Sequence, residues 1–121
     1  MDSILLTIKK MLGLVDDYTV FDTDIIIHIN SVLSALQQMG IGAVGFSITG
    51  DEEQWNDFLA DDSLNLSMVK SYVYMRVRLL FDPPSSGTVI EAYNKAISEF
   101  EWRAFTAVET PYFGGIAPEL K

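Results

Sequence analysis

Leu66–Pro84 reads LSMVKSYVYMRVRLLFDPP, and its periodicity decides the fold. At about 100° per residue, Leu66, Val69, Val73, Val77 and Leu80 fall on one apolar stripe. Met68, Tyr72, Met75 and Leu79 form a second stripe beside it. Together they span an arc of roughly 200°, about twice what a surface helix turns toward one core. Such a helix is a pillar packed on two sides, with Lys70, Ser71, Tyr74 and Arg78 left for solvent. Pro83-Pro84 ends it by removing two donors, and Asp82 before a proline is pushed out of the α region. Arg78, one turn earlier, offsets the unfavourable acid at the helix C-terminus. Arg76 falls inside the apolar arc, where a guanidinium needs an anionic or carbonyl partner. Asp57, Asp82 or an acid of a neighbouring chain are the candidates. Arg76, Arg78 and Asp82 are therefore read as structural anchors.

The remaining chain supplies helices that such a pillar can bury. Asp2 to Leu12 is a short amphipathic helix, with Ile4, Leu5, Ile8, Met11 and Leu12 on one face and Gly13 as its C-cap. Val15 to Val20 is a loop carrying Asp16 and Asp17. Asp22 or Thr23 caps a second helix that runs to Met39 and stops at Gly40. Its core stripe is Ile25, Ile26, Ile29, Val32, Leu33 and Leu36. The opposite face, Ile27, Asn30, Ser31, Ser34, Gln37 and Gln38, is polar yet uncharged. A solvated helix face ordinarily carries Lys and Glu, and charge depletion is common where subunits meet. An ordinary solvent face that lacks charge is the plainer alternative.

Gly40-Ile-Gly-Ala-Val-Gly45 matches GxGxxG, but a dinucleotide loop follows a strand and opens a helix. This one follows a helix and leads into Val44 to Ile48, which alternate like a short strand, so the phosphate-binding reading is rejected. A loop or β-hairpin excursion near 40–50 is expected. Thr49 and Glu52 form a capping box for a short helix from Asp51 to Leu59 that bears Trp55 and Phe58. An acidic turn, Asp61 to Asn65, precedes the pillar. Thr88 and Glu91 form a second capping box, opening a last helix that runs to about Ala107. Val89, Tyr93, Ala96, Ile97, Phe100 and Ala104 face its core, and Glu91, Lys95, Glu99 and Arg103 alternate in sign along one edge. Trp102 and Phe105 lie off the core stripe, and Tyr112, Phe113 and Ile116 sit in a Gly/Pro-rich tail suited to an extended arm. The expected architecture is all-α: four to five helices around a central one at about 66–82. The helical domain covers 1–107, and the extended tail 108–121.

At 121 residues one domain is expected, able to bury about two-thirds of its unfolded surface. The absence of cysteine fits a reducing compartment and excludes thiolate metal sites. No signal peptide is read, and the uncharged run from Ile25 is interrupted by too many polar residues for a membrane span. A net charge of -9 disfavours general binding to nucleic acid, which needs cations against phosphates. With a single histidine, His28, neither Cys-His chemistry nor a His-rich metal site is available. No catalytic, cofactor or metal residue is assigned. Ile27, Asn30, Ser34, Gln37, Gln38, Trp102, Phe105, Tyr112 and Phe113 are the candidate contacts with other chains.

The order of pieces resembles the head–tail connector (adaptor, head-completion) proteins of long-tailed bacteriophages and prophages. These pieces are the first helix with its LG ending, FDTDIIIHINSVLSALQQMGIG, EEQWNDFL, YVYMRVRLLFDPP and EAYNKAISEFEWR, together roughly Ile4 to Arg103. The resemblance implies a non-enzymatic virion subunit, made in the host cytoplasm, that assembles with itself as a dodecameric ring beneath the portal protein. It further implies contact with a tail-side connector or stopper protein, and a channel that passes DNA without sequence-specific binding. No membrane partner is implied. From a different class, an acidic DNA mimic that inhibits a nucleic-acid enzyme would need carboxylates spaced like phosphates on one face, whereas here they are scattered over loops and helix ends.

Overall fold

A computed structural model describes residues 3–59 and 66–113, with side chains in the last helix as far as residue 104. The helices are α1 (Ile4–Met11), α2 (Asp22–Gln38), α3 (Trp55–Phe58), α4 (Leu66–Phe81) and α5 (Gly87–Phe113). Among the described residues no strand forms, and Ser3 and Gln54 make an isolated antiparallel bridge. The all-α bundle expected from the periodicity is thus the fold.

Helix α4 is the pillar, packing against α1, α2 and α5, while α1 also touches α2. Val69, Val73 and Val77 of its first stripe are buried, as is Tyr72 of its second. The stripe of α2 is buried at Ile25, Ile29, Val32, Leu33 and Leu36. Each large apolar side chain so buried is worth about 1.5–3 kcal/mol relative to exposure. Helices α2 and α5 run antiparallel to α4. Phe81 at its end meets Phe21 and His28 near the start of α2, and Tyr72 stacks on Phe100 of α5 at 4.5 Å between ring centres.

The ends of the stripes depart from expectation because the bundle stops before they do. Leu80 is 52% exposed, and Met68 and Val89 also reach solvent. Conversely, Tyr74 and Arg78, expected on the solvent side, are half-buried against Tyr93 of α5.

Capping departs too. Ser3 caps α1, its hydroxyl accepting from the Leu6 amide at 3.2 Å. Asp22 lies inside α2, and neither it nor Thr23 is the N-cap: Phe21 holds that position without a side-chain bond. The Asp22 carboxylate instead faces Lys9, which is fully buried, with Nζ 2.9 Å from Oδ1. The same ammonium donates to the Asp16 carbonyl at 3.0 Å, so one lysine ties α1, the following loop and α2 together. Before α3, Glu53 rather than Glu52 closes the turn by accepting from the Thr49 amide and hydroxyl. Helix α3 itself starts at Trp55, four residues later than expected, with a capping box between Gln54 and Asp57. At α5, Ser86 accepts from the Val89 amide, in place of the Thr88–Glu91 box. Helix α5 extends through Pro111 to Phe113 instead of stopping near Ala107. Val108 to Phe113 are therefore helical, not extended, and the rest of the tail, with Ile116, lies outside the described residues, as does the Asp61–Asn65 turn.

Candidate functional site

Among the described residues no group of three or more His, Cys, Asp or Glu is placed to hold a metal ion. No described helix is long and apolar enough to cross a membrane. The functional question is therefore which surfaces are committed inside the subunit and which are left for other molecules.

The uncharged face of α2 is committed in part. Asn30 and Gln37 stand two helical turns apart on one side, and both amides hold the 41–48 loop. Asn30 accepts from the Ile48 amide at 2.8 Å and donates to its carbonyl at 2.9 Å. Gln37 donates to the Phe46 carbonyl at 2.8 Å and accepts from the Gly45 amide at 2.7 Å. The alternation across Val44–Ile48 holds only at its end: Phe46 is half-buried and Ile48 buried, whereas Val44, in the same phase, is exposed. Its backbone partner, however, is a pair of helix side chains rather than a second strand, so the excursion is a loop and not a hairpin. Gly42, with φ +86°, lies so close to Phe58 that any Cβ would overlap the ring. Asn30 and Gln37 are thus scaffold residues, whereas Ile27, Ser34 and Gln38 of the same helix remain exposed.

The two arginines of α4 are also placed internally. Arg76 pairs with Glu101 of α5 at 3.2 Å and donates to the Tyr72 hydroxyl at 2.7 Å. Tyr72 in turn donates to Glu101 at 2.8 Å. The antiparallel run of α5 brings Glu101 beside Arg76, so its partner is none of Asp57, Asp82 or a neighbouring chain. Burial, and then the hydrogen bond to the Glu101 carboxylate, push the Tyr72 phenol up to about 12. Arg78 donates to the Tyr74 hydroxyl at 3.0 Å, and through Nε to the Asp82 main-chain carbonyl at 3.2 Å. It caps the end of α4 by its backbone instead of neutralising the Asp82 carboxylate.

Among the described residues, apolar surface also faces outward beyond Ile27 and Val44. Trp102 is 68% exposed on α5, on the side expected of it. A groove of about 300 Å³ opens between α4 and α5, walled by Met68, Met75 and Phe100 with Glu99 and Arg103 among its lining. At the end of the bundle, Tyr18, Phe21, Phe81 and His28 touch in sequence, with ring centres 6.0, 5.4 and 6.4 Å apart. This last feature escaped the sequence reading, which treated Val15–Val20 as a plain loop. Its signal was the run of large apolar residues, Val15, Tyr18, Val20 and Phe21, where a solvated loop carries few. The side chains of Phe105, Tyr112 and Phe113 lie outside the described residues.

A family model described as phage connector protein matches residues 4–111, spanning all five helices but for the last two residues of α5. No curated protein and no solved structure matches the chain.

Proposed function

Because the chain belongs to the phage connector protein family, we propose that it is a structural subunit of a head–tail connector ring. In this reading copies of the chain, twelve as the resemblance implies, dock below the portal protein and bridge it to a tail-side connector or stopper. The ring encloses part of the channel through which packaged DNA is held and later leaves. The subunit does no chemistry, resides in the virion at the head–tail interface, and is made in the host cytoplasm. The observation that carries the proposal is the family match over nearly the whole described fold.

Physical features support it. A net charge of -9 suits a conduit wall, since a basic wall would hold the phosphate backbone and slow its passage. Exposed Trp102 and Ile27, with Ser34 and Gln38, are proposed as contacts between copies or with the portal, joined by Phe105, Tyr112 and Phe113 on the last helix. Electron microscopy of the purified chain mixed with portal complexes tests the reading. Rings seated on portals are expected, and failure to associate with portals or tails under any condition would refute it.

A further inference from the structure

The aromatic ladder of Tyr18, Phe21, Phe81 and His28 closes the end of the bundle where α2 begins and α4 stops. Val20, 70% exposed, and Leu80 extend it with uncovered aliphatic surface. Clustered exposed apolar side chains of this kind mark interaction sites more often than scattered single ones do. The surroundings are acidic. Asp24 lies one turn from both Phe21 and His28 on the same face of α2, and Asp82 follows Phe81 directly; both are exposed, as is Asp17. The C-terminal carbonyls of α4 add further negative potential at this end.

The cations nearby are occupied. Lys9 is buried against Asp22, and Arg78 is engaged by Tyr74 and the Asp82 carbonyl. Lys10 shares a different groove with Asp16. A second copy of the chain is poorly matched to such a surface. Its exposed cations on α5, Lys95 and Arg103, are interleaved with Glu91 and Glu99, so that helix offers no basic patch to meet Asp24 and Asp82.

We propose that this end of the bundle is a docking surface for a segment of a different protein chain, one that presents a large apolar side chain flanked by Lys or Arg. The inference rests on the connector reading, in which that chain is a neighbouring component of the same assembly. The apolar anchor enters among Phe21, Val20 and Leu80, and its basic flanks meet Asp24 and Asp82. Affinity comes from the buried anchor; partner choice and encounter rate come from the charges.

The test is photo-crosslinking in cells producing the particles, with benzoylphenylalanine placed at Val20 or at Leu80. The expected result is an adduct with another chain, mapped to a peptide with Lys or Arg beside the linked residue. Adding Asp24→Lys and Asp82→Lys should lower its yield about tenfold or more, while Glu91→Lys on α5 leaves it unchanged. An unaltered thermal midpoint shows that the charge variants fold. An adduct to a second copy, to a segment without basic residues, or one indifferent to the charge reversal would overturn the proposal. So would the absence of any adduct from folded protein that accumulates in those cells. Immunoblotting of purified particles for the chain reports separately on the connector reading, so that either can fail alone.

Discussion

Replacing Lys9 by methionine isolates the one buried cation of α1, keeping most of its apolar stem and removing only the ammonium. In the native fold Nζ lies 2.9 Å from Asp22 Oδ1 and 3.0 Å from the Asp16 carbonyl, with the lysine fully buried. The Asp22 oxygen is not aligned for a hydrogen bond, so this contact is mainly Coulombic. Removing one member of a buried pair costs about 3–5 kcal/mol, most of it the stranded charge. Asp22 retains 25% exposure, so water recovers part of that, and a loss of about 2–3 kcal/mol is expected. At about 2.1 cal/mol/K per residue of unfolding entropy, the thermal midpoint falls by about 8–12 °C. Urea unfolding of Lys9→Met, Asp22→Asn and the double variant gives the coupling directly. The double variant should lose about 1–2 kcal/mol less than the sum of the singles. The buried pair is weakly screened, so the deficit persists at high salt. A single variant within about 0.5 kcal/mol of wild type, or strict additivity, would refute the reasoning.

Three further outcomes follow from the geometry. Asn30→Ala strands the amide and carbonyl of buried Ile48, at a cost of about 2–4 kcal/mol, and hydrogen exchange should show the Ile48 amide opening first. Gly42→Ala forces a Cβ into Phe58 and should destabilise by more than about 2 kcal/mol, whereas Gly45→Ala, with a similar φ but open space, loses only about 1–2 kcal/mol; equal losses in denaturant melts would contradict the packing. Tyr72 should ionise last among the tyrosines in an alkaline absorbance titration. Its folded pKa lies above the unfolded value of 10.0, so its contribution to stability is complete below that pH and is lost as pH rises toward about 12. Glu101→Gln should bring the ionisation down, and a Tyr72 that titrates normally in the native protein would remove the network from the account.

The pillar was legible because its cause is local. Two adjacent stripes on one helix demand cover on two sides, and α1, α2 and α5 provide it. The helix order, the Gly13 and Gly40 stops and the buried stripe of α2 were legible for the same reason. The partners of polar groups were not. Arg76 announced that it needed an anion, yet the choice of Glu101 depends on the register of a helix 25 positions away in sequence. Lys9 sits next to Ile8 and one turn after Leu5, at the margin of a stripe where the sequence alone gives no sign of burial. The uncharged face of α2 illustrates a deeper ambiguity. Missing charge reports that something covers a surface, and Asn30 and Gln37 are covered by their own chain. A loop and a neighbouring subunit leave the same mark on composition. The aromatic end was missed for the converse reason, since Phe21, with Tyr18 against it, meets Phe81 only when the antiparallel pairing of α2 and α4 brings distant segments together.

The hold of Asn30 and Gln37 on the 41–48 loop has a consequence for divergence. Each of their four hydrogen bonds ends on a main-chain atom, of Gly45, Phe46 or Ile48, so none of them reads the identity of a loop side chain. Ala43, Val44 and Ser47 point outward, Val44 with 93% of its surface open. Those three positions are free to exchange for charged, aromatic or bulky residues while the loop keeps its path. The two amides have no such freedom, because only a side chain with both a donor and an acceptor at that reach can replace them. Related chains should therefore keep the rack and vary what it displays, meeting different neighbours with one backbone.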